Sequence, residues 1–451
     1  MGEDSVKSPL LKWAWNCAKF GLLTLPLFPL LGEVCLLSAI ILTFKARYRQ
    51  IIKYPLNWGL AILSIWLIII CFQADRPTEA FLGLANFLPF MLLLASFSVL
   101  IQKPSQLRQL ARAIAIPSIA VVILGLGQLF GGWRTPNLFL GWELVANGNP
   151  EGRMASVFMY TNILAVYLSI AFVLGLGLWI DIFVSRKNKN KDISYLLLLS
   201  LAVIADGVGL ILTSSRNAWA IAVFSCVAFA IYLGWRWLVV AFFTACASIL
   251  GASFGPSPTR EWLREIVPAY FWARLSDELY PDRPIATLRT TQWQFCWEMT
   301  QQRPWMGWGL RNFTPLYKAK MGLWLGHPHN LFLMLMAETG ILATLFLCVS
   351  IGWIFFRAVI LLSIWSRLKS NNKLRSNTVS IESETYSKKN RLRRSRDKLI
   401  LFTYLLAFGS CVLFNLLDVT IYDLRVNTLG WVLLSAISGI VYSYRKIVIE
   451  K

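Results

Sequence analysis

The sequence predicts an all-α integral membrane protein with about twelve transmembrane helices and one large loop between the ninth and tenth. Three observations carry that reading. Hydrophobic residues make up 57% of the chain and charged residues only 15%, where a soluble domain carries roughly 25% charge. Apolar runs of about 20 residues recur along the whole length, each enough to cross a hydrocarbon layer about 30 Å thick as a helix. Strand-like alternation is missing, which argues against a barrel.

Taken in order, the expected spans are residues 13–30, 32–45, 56–74, 79–101, 110–131, 157–183, 193–213, 217–234, 237–254, 330–363, 399–418 and 427–444. Lys7, Lys12 and Lys19 precede or enter the first run, and no small-residue cleavage site follows, so it reads as an anchor that is kept. The net charge of +21 could suggest nucleic acid. The basic residues, however, sit in loops between spans: Lys45, Arg47, Arg49 and Lys53; Lys103, Arg108 and Arg112; Arg186, Lys187, Lys189 and Lys191; and a run from Arg367 to Lys398. The positive-inside rule places those loops in the cytoplasm, which sets a nucleic-acid partner aside. An even number of spans then puts both termini there too. Three units follow: an N-terminal bundle (1–254), a large outer loop (255–329), and C-terminal helices (330–451) with a basic cytoplasmic loop at 366–398 to which no structure is assigned.

Of eight cysteines, only Cys296 lies in a long polar loop, and no CxxC or Cys/His cluster occurs. Neither a disulfide framework nor a metal site is expected, and no cofactor.

The outer face carries the residues with chemistry. The chain has two histidines, and both fall in GHPHNLFL, Gly326 to Leu333. Pro328 suits the first position of a helix, which would put His329 and Asn330 in its first turn. There the helix dipole disfavours a protonated imidazole, and a neutral imidazole can act as a base; His327, across Pro328, is expected to point elsewhere. Arg216 in TSSRNAW sits at the junction of two spans, where a cation needs an anionic partner or reaches water. Arg289, Trp293 and Trp297 recur every fourth residue and would share a helix face, either for packing or to hold a sugar near a phosphate. Arg153, in EGRMASVFMYTN with Asn162 nine residues on, is a further cation at a span mouth. Glu338 lies nine residues beyond His329, on the opposite face of a regular helix, and with Gly340 is expected to shape a kink or pair with a neighbour. Asp206 and Asp418, read as lying inside spans, are left as ionic partners or as part of a proton or ion path.

These segments together resemble the O-antigen ligase and polymerase family of polytopic bacterial envelope proteins. The resemblance rests on His329-Asn330 followed by LFLMLMAET and Gly340, on TSSR around Arg216, on the Arg289 to Trp293 segment, and on RPWMGWGLRNF from Arg303 to Phe313. Ala343 stands where the ligase signature often has a second glycine, and RMASVF lacks a glycine common in that family stretch. The resemblance implies a GT-C-like polytopic architecture in the bacterial inner membrane. It also implies metal-independent transfer of a glycan from a polyprenyl-diphosphate carrier to a hydroxyl of a lipid, saccharide or protein acceptor at the periplasmic face, with inversion at the anomeric carbon. Arg216 and Arg289 would hold the diphosphate and His329 would take the acceptor's proton, with Asn330, His327, Arg153 and Trp293 in support. Polymerase or protein-glycosylating enzymes share that chemistry. A bicarbonate or other small-anion transporter and a non-catalytic scaffold are the readings of another class.

Overall fold

The computed structural model describes residues 9–136, 141–185, 189–276, 284–374 and 381–445, which form helices and connections with no strand among them. The helices are α1 (Pro9–Thr24), α2 (Pro29–Ile52), α3 (Pro55–Phe72), α4 (Pro77–Gly83), α5 (Leu88–Leu100), α6 (Pro104–Ala115), α7 (Ser118–Phe130), α8 (Thr161–Ser185), α9 (Lys189–Leu212), α10 (Arg216–Leu233), α11 (Arg236–Phe254), α12 (Thr259–Ile266), α13 (Ala269–Leu275), α14 (Arg289–Gln302), α15 (Phe313–Met321), α16 (Leu331–Leu374), α17 (Ile381–Asn415) and α18 (Leu424–Ser443).

Among the described residues, eleven stretches are long and apolar enough to cross a bilayer, with α4–α5 and α6–α7 each counting as one. The expected twelfth, α1, has 16 residues. At 1.5 Å per residue it reaches only about 24 Å, short of a full crossing. Prolines open α2, α3, α4–α5 and α6 at the first helical turn, where a missing N–H costs nothing. Helices α8 and α18 form the buried centre, whereas α11 leaves Trp237, Phe243 and Phe254 bare along its length, as a lipid-facing span does.

The segment 366–398 departs from the expectation of no structure. Helix α16 runs on to Leu374 and α17 begins at Ile381. Extending a helix already nucleated in the bilayer adds hydrogen bonds without a new nucleus, and this stretch is rich in good helix formers. Lys7, Arg186, Lys187 and residues 375–380 lie outside the described residues. At this same end of the bundle, Asp181 of α8 is buried between two guanidinium groups. Arg108 Nε lies 3.0 Å away, while Arg396 Nε and Nη2 lie at 2.8 and 2.7 Å; Arg108 Nη1 also reaches Asp397 at 3.0 Å.

At the other end, the segment between α11 and α16 folds onto the bundle and grips α16 at a break. Gly340 has φ +80° and ψ 167°, a conformation that interrupts the helix and that glycine alone adopts freely. The carbonyls of Ala337 and Glu338 instead take the N–H groups of Trp308 (3.0 Å) and Gly309 (2.8 Å), and the N–H of Ile341 finds the carbonyl of Pro304 (2.8 Å). The Glu338 carboxyl receives the Phe313 N–H at 3.1 Å, at the start of α15. Gly307 and Gly309 have positive φ as well, and a Cβ on Gly307 would collide with the Glu338 backbone. RPWMGWGLRNF is thus a clamp on the kink. Glu338 faces the loop and not a neighbouring span, a partner that helix periodicity alone does not reveal.

Candidate active site

Four connections meet at the loop end: residues 141–160, 213–215, the loop residues 284–330 and the turn 416–423 between α17 and α18. The site is best built from that last turn. Helix α17 stops at Asn415, so Asp418 lies in the connection and not inside a span as its apolar surroundings suggested. It is nearly fully buried, and four donors converge on it. Asn162 Nδ2 donates to Oδ2 at 2.7 Å, and the Val419 N–H to Oδ1 at 2.9 Å. His329 Nδ1 stands 3.2 Å and His327 Nε2 3.6 Å from Oδ1. Burial by itself would push this carboxyl up. The hydrogen bond from His329, the two imidazoles and the Val419 N–H outweigh it and hold Asp418 below the ordinary carboxylate range.

The two histidines sit on a turn ahead of α16, not within it. Pro328 is not the first helical residue: α16 begins at Leu331, and Asn330 caps it by accepting the Leu333 N–H at 2.9 Å. A helix N-terminus needs a side-chain acceptor more than a missing donor, and Asn is among the strongest caps. The Asn330 amide also donates to the carbonyl of Leu416 at 3.0 Å, tying the histidine turn to the Asp418 turn. His329 itself is left-handed, φ +53°, at a cost of roughly 1–2 kcal/mol for a non-glycine residue. Trp293 steadies the turn from the other side, its indole N–H donating to the carbonyl of Pro328 at 3.0 Å.

Contrary to expectation, the two rings point together, 4.6 Å apart and edge to face. The His329 backbone N–H donates to His327 Nδ1 at 3.3 Å, so His327 carries its proton on Nε2, facing Asp418. Burial drives His327 down to about 4, with Asp418 pulling upward and His329 and Arg289 adding to the depression. It is therefore neutral near neutral pH. A neutral His329 that donates from Nδ1 to the carboxylate at 3.2 Å has its Nε2 lone pair available.

These three residues also raise the question of a metal. Their potential ligand atoms lie within 4.8 Å of one another, and their types suit zinc or a similar dication. The tautomer does not fit. The N–H aimed at His327 Nδ1 favours the proton on Nε2, the atom a metal would need, so this tautomer suits proton exchange better than metal ligation.

The arginines take two positions. Arg216 and Arg289 are each the first residue of a helix, α10 and α14, and neither helix has a side-chain cap. Uncapped N-terminal N–H groups beside a guanidinium suit an anion. Arg289 lies within electrostatic reach of His327 and of Tyr160, a partly exposed phenol that also feels Arg153 and Asp418. Arg153 is a brace: Nε donates to the carbonyl of Thr213 at 2.9 Å and Nη2 to Asn162 Oδ1 at 3.2 Å. One chain of hydrogen bonds thereby runs from His329 through Asp418, Asn162 and Arg153 to the TSSR turn that carries Arg216.

Sequence reasoning kept Asp418 as an ionic partner or path residue but placed it inside a span, and it did not single out Tyr160. The available signal was Asn415 and Asp418 at the close of an apolar run, where helix-ending residues mark a turn and not a span interior.

No curated protein matches the chain. Residues 199–348 match a family model, Wzy_C, described as O-Antigen ligase. The matched stretch contains Arg216, Arg289, His329 and Gly340, while Arg153, Asn162 and Asp418 lie beyond it on either side. From α9 through the loop to the kinked start of α16, then, this multi-pass chain carries the domain of the O-antigen ligase family, a ligase- and polymerase-type group of glycosyl-transferring membrane enzymes.

Proposed function

We propose that this protein moves a glycan from a polyprenyl-diphosphate carrier to a hydroxyl acceptor, without a metal, at the periplasmic face of the bacterial inner membrane. The basic loops lie on the cytoplasmic side, and the C-terminus with them. The observation that carries the reading is the contact of His329 with Asp418: Nδ1 stands 3.2 Å from the carboxylate, which leaves Nε2 of the neutral ring as a base, and Arg289 lies within electrostatic reach of the neighbouring His327.

The acceptor hydroxyl gives its proton to His329 Nε2 as its oxygen attacks the anomeric carbon, and the bond from that carbon to the diphosphate oxygen breaks. The diphosphate leaves with the bonding electrons. Arg216 and Arg289, with the N–H groups opening α10 and α14, receive the added negative charge. Asp418 stabilises the imidazolium that forms and holds the ring in place, as a buried carboxylate does for a catalytic histidine. Displacement in one step inverts the anomeric configuration. His327, Asn330, Trp293 and Arg153 keep this geometry and touch neither bond.

The test is His329→Ala in cells, with surface glycans and anion uptake both measured at matched expression. Loss of glycan transfer with unchanged uptake is expected. Intact glycans with lost uptake would overturn the enzyme reading in favour of transport.

A further inference from the structure

The segment between α11 and α16 leaves tryptophans bare in two different settings. Trp262 of α12 is 66% exposed, and Ile266, one turn further, is 79% exposed. An apolar pair on one side of a short helix suits the headgroup layer. Trp297 of α14 is 48% exposed, yet the other exposed residues of its helix are Arg289, Thr290, Gln294, Gln301 and Gln302, all polar. At about 100° per residue, Thr290, Gln294 and Gln301 share one side of α14 with Trp297. That side faces water and not hydrocarbon.

An aromatic ring bare to water between two amides suits a sugar. The indole covers the apolar C–H face of a pyranose, and each amide brings donors and an acceptor to its hydroxyls. The platform is also held in place before anything binds. Gln294 donates to Glu298 at 3.2 Å, Glu298 pairs with Lys320 of α15 at 2.6 Å, and Phe295, Cys296 and Met299 are buried on the far side of the helix. Little ordering is left to oppose binding.

Position along α14 tells which sugar it meets. Arg289 opens the helix at the diphosphate end. Trp293, one turn on, donates to the carbonyl of Pro328 at 3.0 Å, beside the base. Trp297 follows about 6 Å further along the axis, close to the length of one sugar unit. In a one-step displacement the leaving oxygen, the anomeric carbon and the attacking oxygen lie on a line. The helix presents its groups in the same order, so the molecule that passes over Trp297 is the acceptor.

We propose that Trp297, with Gln294 and Gln301, is an acceptor subsite that holds the sugar ring next to the one bearing the attacking hydroxyl. The inference rests on the glycosyl-transfer reading above, and within it selects a saccharide over a bare lipid or a peptide as acceptor.

The experiment compares the full chain in detergent with Trp297→Ala, Trp297→Phe and Trp262→Ala. The probe is the oligosaccharide released by mild acid from the surface of the producing cells. Its binding is followed without donor by saturation-transfer NMR, and its use as acceptor in a transfer assay with lipid-linked donor. Trp297→Ala should weaken binding roughly tenfold and raise KM for the oligosaccharide by a similar factor. Its kcat and its KM for the donor should stay within about twofold of the parent. Trp297→Phe should recover most of the loss, and Trp262→Ala should show none. Unchanged binding and KM in Trp297→Ala overturn the subsite, as does an equal loss in Trp262→Ala. A loss confined to kcat overturns it too, since the ring would then shape the site without holding the acceptor. The transfer reading is judged apart from this: full transfer by His329→Ala would sink that reading, whereas the binding difference at Trp297 is measured with no donor present.

Discussion

Asp181 and Asp418 are both almost completely buried, they lie at opposite ends of the bundle, and both accept several hydrogen bonds, yet their partners differ in kind. Asp181 is held by the guanidinium groups of Arg108 and Arg396, which never give up their protons. Asp418 is held by an amide, a backbone N–H and two imidazoles. The first arrangement can only stay as it is, and it works as a joint between α6, α8 and α17. The second can pass a proton, because one of its donors is a base with a second nitrogen. A buried carboxylate therefore says little about function until the groups around it have been sorted into those that titrate and those that do not.

The largest effect should come from breaking the titrating cluster at its base. His329→Ala should lower glycan transfer about 10²- to 10⁴-fold with melting unchanged, read in a transfer assay with purified protein and lipid-linked donor. Next, Asp418→Asn should cost about 10²-fold in turnover, because an amide turned to donate toward Nδ1 forces His329 into the wrong tautomer. A variant that kept full turnover would remove Asp418 from the mechanism. The comparison then sharpens at the other end. Asp181→Ala should destabilise the protein by about 2–3 kcal/mol, at the low end for a broken buried pair because Arg396 reaches solvent. Turnover per folded molecule should stay close to that of the parent; a large loss there would erase the distinction between the two carboxylates. The smallest effect concerns His327. His327→Ala should cost turnover far less than His329→Ala.

His327 also carries a pH signature. Its folded value is depressed to about 4 from the ordinary 6.5. Between those values the unfolded chain binds a proton that the folded chain refuses, so stability falls as pH drops from 6.5 toward 4. His327→Gln should flatten the melting temperature against pH across that window. An unchanged slope would show that His327 is protonated in the folded state.

Much of this was legible in the residues. Span positions follow from apolar length, Arg216 and His329 announce themselves as polar groups at span mouths, and Arg289 as a cation of the large loop. The helix from Arg289 and its shared face with Trp293 follow from spacing. What stayed hidden has a common cause, in that it depends on partners distant in the chain. Asp418 stands 89 residues from His329, and although Asn415 and Asp418 mark the close of an apolar run, nothing local says which side chains meet there. The same holds for Glu338, whose partner Phe313 belongs to the loop. The start of α16 was missed because Pro328 and Asn330 both signal a helix beginning, and the side chain that accepts a hydrogen bond prevailed over the one that lacks a donor. The convergence of the two imidazoles needed the left-handed turn at His329, which sequence does not specify.

The break at Gly340 has one more implication. The ten residues from Asn330 to Thr339 are fastened to the loop by Trp308, Gly309 and Phe313, so His329 moves with the loop and is hinged from the rest of α16. Anyone exchanging loops between relatives of this protein to change the acceptor should place the junction after residue 340, because a cut at 330 would separate the base from the scaffold that aims it.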